Sequence, residues 1–136
     1  GTSQLQVVAA INAVTKGTFM EQIGRYAAGD YCAEMQPVVE RLKALTAKFA
    51  EMVDRVETLD KQAPGFKDLH ARRLVETAGH IIVTYLLARQ TGECADYGRS
   101  ARVFCNLAEG KIAEAHACVM GSEAGDVALY RVETAE

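Results

Sequence analysis

The chain has 136 residues, 49% hydrophobic and 24% charged, enough for one globular domain with its own core. A net charge of −3, with Arg72-Arg73 as the lone basic doublet, argues against a nucleic-acid partner. Only two prolines and no long polar tract argue against disorder, and the longest nearly apolar run, Ile81 to Ala88, is far short of the ~20 residues of a membrane span.

Ser3 with Gln6 three positions later is a capping-box pattern, and Leu5, Val7, Val8, Ile11 and Val14 follow it. A helix is therefore expected from about Ser3 to Lys16, stopped by Gly17. Such a helix start presents unpaired N–H groups that suit an anion, and Gly1 lets the backbone approach a ligand closely. Thr2 and Gln4 add polar side chains beside it, although an ordinary capped helix accounts for the same residues. Thr18 with Glu21 repeats the capping spacing and opens a short helix through Phe19, Met20, Ile23 and Tyr26, ending near Gly29-Asp30.

The clearest period comes next. Val38, Leu42, Leu45, Phe49, Met52, Val56 and Leu59 alternate spacings of four and three, an a/d stripe on a helix from about Pro37 to Lys61. Pro37 fits the first turn, where its missing N–H costs nothing. Gln62 to Gly65 breaks the chain, and a helix from about Phe66 to Thr91 follows, ended by Gly92. Its apolar residues Leu69, Leu74, Val75, Ala78, Ile81, Ile82, Tyr85, Leu86 and Ala88 cover two faces, so it is expected to be buried on two sides. The last helix spans about Ala95 to Met120, with Tyr97, Ala101, Phe104, Ala108, Ile112, Ala115 and Val119 inward and Gly121 at its end. Ser122 to Glu136 reads as a partly ordered return segment. The fold class is all-α, an up-and-down antiparallel helical bundle of three long helices and two short N-terminal ones.

Few residues promise chemistry. Glu76 and His80 stand one turn apart, but neither they nor Glu114 and His116 have the Glu-x-x-His spacing of a di-iron bundle, so no metal is expected. His70 and His80 are expected to partner buried polar groups between helices. Cys118 and His116, two apart on a helix, point away from each other. The four cysteines (Cys32, Cys94, Cys105, Cys118) form no CxxC pair, and buried or partly exposed free thiols in a reducing cytoplasm are expected.

The segment GTSQLQVVAAINAVTKGTFM, Gly1 to Met20, resembles the helix after the catalytic glutamate in acyl-CoA dehydrogenases, beginning with that family's Gly-Thr-x-Gln. DLHARRLVETAGHIIVTYLL, Asp68 to Leu87, is similar to the extra C-terminal helical domain of the longer members. The resemblance implies that residues 1–30 end the dehydrogenase helical domain and 31–136 form the extra bundle. It implies a parent that binds FAD, oxidises acyl-CoA to trans-2-enoyl-CoA and passes electrons to an electron-transfer flavoprotein, as a cytoplasmic homo-oligomer. Gly1, Thr2 and Gln4 match positions beside the base and against the flavin. The base itself is expected just before Gly1, outside the chain, so the fragment is expected to be inactive and to bind no FAD. Two other readings are a stand-alone helical interaction module without catalysis and a cofactor-binding bundle.

Overall fold

The structure, a computed structural model, describes residues 17–90 and 95–129. The expected helix from Ser3 to Lys16, with Gly1, Thr2 and Gln4, lies outside the described residues, as do Cys94 and residues 130–136. Five α-helices are described: α1 (Thr18–Ala27), α2 (Gln36–Gln62), α3 (Phe66–Leu69), α4 (Ala71–Gln90) and α5 (Ala95–Gly121). No strand occurs among the described residues.

α1 starts one residue earlier in register than the capping box implies. Gly17 is its N-cap, in the left-handed region at φ 89°, and no side chain caps the helix. Thr18 is already helical, while the Glu21 N–H donates to the Gly17 carbonyl at 3.0 Å. A glycine pays little for that φ and competes successfully with threonine for the cap position. Downstream, a 3-10 turn at Ala33–Met35 feeds α2, with Pro37 in its first turn. All seven residues of the a/d stripe are buried, joined by Val39. Each side chain of this size contributes about 1.5–3 kcal/mol on burial.

The expected long helix from Phe66 is broken at His70. Asp60 of α2 accepts backbone N–H groups from Gly65 (3.3 Å) and Lys67 (3.0 Å), which fastens the start of α3 to the end of α2. Gly65 takes φ 103° in that reversal. The chain then bends at His70, whose carbonyl accepts the Leu74 N–H of α4. The bend lets Phe66 and His70, with ring centroids 4.9 Å apart, both enter the core.

The three long helices pack against one another in pairs. Cross-helix contacts fix their directions. Arg41 meets Glu109 and Asn106, Glu51 meets His116, and Arg55 meets Ser122, so sequence separation stays at 65–68 as both helices advance. Thus α2 and α5 run parallel. α4 runs against both: its His80 ring sits 5.6 Å from Phe104, while its Arg73 shares a cleft with Cys118 farther along α5. The bundle is up-down-up. α1 lies across α2 and α4, burying Ile23 and setting Phe19 edge-on to Phe49 at 5.5 Å.

Two further inward assignments differ. Tyr97 is 39% exposed, because α5 turns the neighbouring Gly98 inward and runs its core stripe through Ala101, Cys105, Ala108 and Ile112. Leu86 is exposed too, on the outer side of α4. The start of the return segment is ordered. Arg55 Nη2 donates to the Ser122 carbonyl at 2.8 Å, the Ser122 hydroxyl donates to the Cys118 carbonyl at 2.7 Å, and Val127 is buried.

Candidate functional site

A chemically varied concavity lies between α4 and α5. Helical spacing places Arg73, Glu76, Thr77 and His80 along one edge of α4, and Lys111, Glu114, Ala115 and Cys118 along the facing edge of α5. Antiparallel packing brings the two edges together around a cavity of about 330 Å3, near the lower end of small-molecule sites. Glu76 and His80, one turn apart in sequence, do line one cleft. Lys111, Glu114 and Cys118 join them only through the fold, a juxtaposition no local pattern announces.

His80 is the site's titratable centre. Burial holds its pKa below the ordinary histidine value, Lys111 lowers it further, and Glu76 pulls the other way. These surroundings therefore favour the neutral ring. On the α5 side it packs against Phe104, with ring centroids 5.6 Å apart and planes tilted by 51°. No hydrogen bond joins His80 to Cys118 among the described residues, so the cleft lacks the nucleophile–base contact that covalent catalysis needs. Nor is there, among these residues, any group of three His, Cys, Asp or Glu side chains placed to hold a metal ion. What the cleft can do is bind through opposite charges, two cations and two carboxylates.

His116 and Cys118 point to opposite flanks, as their spacing requires. Cys118 lines the α4–α5 cleft, while His116 reaches Glu51 on α2 at 2.8 Å. Cys105 is buried, and burial pushes its thiol pKa up; Arg41 acts downward and Glu109 upward. His70 departs from expectation. It is 2% exposed, yet neither ring nitrogen has a hydrogen-bond partner. Burial and then Arg73 hold its pKa low, opposed by Asp126 of the return segment. Tyr85 is also fully buried. Its hydroxyl meets no partner at full hydrogen-bond geometry, and burial raises its pKa to about 12, although the Thr46 hydroxyl lies close enough to act in the other direction.

Gly1, Thr2 and Gln4, the residues expected at a flavin, lie outside the described residues. No helix among the described residues is long and apolar enough to cross a membrane.

The model of the family described as "Acyl-CoA dehydrogenase C terminal" matches residues 15–127. Among solved structures, the chain is similar to the acyl-CoA dehydrogenase family protein from Porphyromonas gingivalis, with a TM-score of 0.76 and 25% sequence identity, over 85% of this chain and 98% of that one. No curated protein matches.

Proposed function

This chain belongs to the acyl-CoA dehydrogenase C-terminal family, and from that premise we propose that it is the C-terminal helical part of an enzyme oxidising acyl-CoA to trans-2-enoyl-CoA. The observation that carries the proposal is the extent of the match, which runs from before α1 through the start of the return segment. The structural likeness over nearly the whole of the Porphyromonas gingivalis chain supports the same reading.

In this proposal the bundle is a structural and association element rather than a catalytic one. Residues 1–30 belong with the dehydrogenase helical domain and 31–136 form the appended bundle. The catalytic base stands before Gly1. FAD, when bound to the parent, supplies the hydride acceptor, and Gly1, Thr2 and Gln4 lie against it. The α4–α5 cleft, at about 330 Å3, is too small to enclose a dinucleotide. Acyl-CoA and an electron-transfer flavoprotein are the parent's partners, and the cytoplasm its compartment. Support for an association role comes from Val103 (54% exposed) and Leu107 (59% exposed), one turn apart on the outer side of α5.

The test is to express the whole reading frame that contains this chain and assay it with acyl-CoA and a dye acceptor. Enoyl-CoA formation with co-purifying flavin is expected, and Thr2→Ala combined with Gln4→Ala should weaken flavin retention. A protein with neither flavin nor acyl-CoA oxidation would overturn the reading. Sedimentation of the same protein with Val103→Glu and Leu107→Glu tests association: a shift toward smaller species is expected, and an unchanged oligomer would remove α5 from the interface.

A further inference from the structure

A second concavity, about 290 Å3, opens where α1 crosses α4 and is lined by Gln22, Arg25, Tyr26 and Arg89. Helical spacing puts Gln22 and Arg25 on one edge of α1, one turn apart. Arg89 arrives from the last turn of α4. Neither arginine forms an ion pair among the described residues, not even Arg25 with Glu21, which stands one turn before it. Two guanidinium groups thus share one small concavity without a counter-charge among these residues.

Their positions at helix C-termini explain part of this, since a cation there meets the negative end of the helix dipole. For α1, however, that end is already served. The Ala28 N–H donates to the Gly24 carbonyl, and the Tyr26 carbonyl accepts both the Gly29 N–H and the Tyr31 hydroxyl, the latter at 2.7 Å. The dipole also gives no reason for the two side chains to converge.

The arrangement of Arg89 adds an independent observation. Its guanidinium lies over the Tyr26 ring, 5.9 Å from the centroid. Behind that, Tyr26 stacks on Tyr85, with centroids 6.1 Å apart and planes 17° apart, and Tyr85 is fully buried between the helices. Arg89 is therefore held at the end of a column rooted in the core. A guanidinium over an aromatic ring still carries N–H donors that can reach an anion. With a second arginine and the Gln22 amide lining the same concavity, the charge and the supply of N–H donors suit a tetrahedral oxyanion.

We propose that Arg25, Arg89 and Gln22, with Tyr26 positioning Arg89, form a binding site for a phosphate group, either free or carried as a small phosphomonoester. The volume suits a phosphate with a few further atoms, not a nucleotide cofactor. The two guanidiniums supply the charge-assisted hydrogen bonds, and the Gln22 amide donates one more.

The experiment is an NMR titration of this chain with inorganic phosphate and with glycerol 3-phosphate, at constant ionic strength set by chloride. Saturable shifts at Gln22, Arg25, Tyr26 and Arg89 are expected with at least one of the two probes. Arg25→Gln and Arg89→Gln should each weaken binding about tenfold or more, while Arg99→Gln, an exposed arginine on α5, should leave it unchanged. Tyr26→Leu should weaken binding without removing charge, and Tyr26→Phe, which keeps the ring, should restore it. Tighter binding of the ester than of inorganic phosphate assigns the site to an esterified ligand, and equal binding assigns it to free phosphate. Shifts that fail to saturate, or that survive loss of either arginine, would overturn the proposal.

Discussion

His70 carries a cost that depends on acidity. It is enclosed without a hydrogen-bond partner, and its pKa is lowered by burial first and Arg73 second. In the unfolded chain a histidine titrates near 6.5. Between that value and the lower folded one, the unfolded chain holds more protons, so acid favours unfolding there. Stability is expected to be full at pH 7 and to fall as the pH drops below about 6.5. His80, also lowered, adds in the same direction. Thermal unfolding at pH 7.5, 6.5 and 5.5 checks this, and His70→Phe should flatten the dependence because it replaces an unpartnered ring by an apolar one. A wild-type curve already flat across that range would contradict the assignment. A place for His70 between helices is legible in sequence, but its lack of a partner and the helix break that delivers it are not, because the break depends on Asp60 reaching back-folded Gly65 and Lys67.

At the scale of the helix, α2 is the most legible part of the molecule. A stripe with strict three–four spacing has one way to meet its neighbours, and all of it is buried. Leu45→Ala is therefore expected to cost about 2–5 kcal/mol, and Lys48→Ala, on the exposed side, very little; chemical denaturation of the two variants measures the difference. α5 was harder to read because its inward residues are small. A stripe through Gly98, Ala101, Cys105 and Ala108 has little hydrophobic contrast, so Tyr97 competed with Gly98 for the inward position. The same limit applies to the α4–α5 cleft, whose two charged edges are visible separately but whose pairing requires the helices' relative direction. The return segment is held to α2 by Arg55, whose Nη2 meets the Ser122 carbonyl. Arg55→Ala should speed amide exchange at Val127 and its neighbours while the centre of α2 stays protected; uniform protection would show that burial of Val127 alone suffices.

Across the molecule, polar contacts among the described residues are unevenly distributed. The contacts of Arg41 and Glu51 join α2 to α5, the two helices that run parallel, and Arg55 reaches the residue just past the end of α5. α4 meets both neighbours in the opposite sense and contributes buried apolar residues such as Leu74, Ala78, Ile81 and Tyr85. Parallel neighbours align their dipoles side by side, and the Arg41–Glu109 ion pair across that seam offsets part of the mutual repulsion. This pair is partly exposed, so it is worth little alone, and salt weakens it.

That seam also sets an order in time. Its partners are 65–68 residues apart along the chain, so the entropy of closing a long loop must be met before any of its contacts contributes. Neighbouring helices joined by short connections have no such delay. Pairing of α2 with α5 is therefore expected to complete after the folding barrier is crossed. Arg41→Ala should quicken unfolding and leave the refolding rate nearly unchanged, as stopped-flow measurements would show; a slowed refolding limb would place the seam in the folding nucleus. A junction that closes last is also the first to part, so brief excursions of the native chain would free the edge of α5 while its packing on α4 persists.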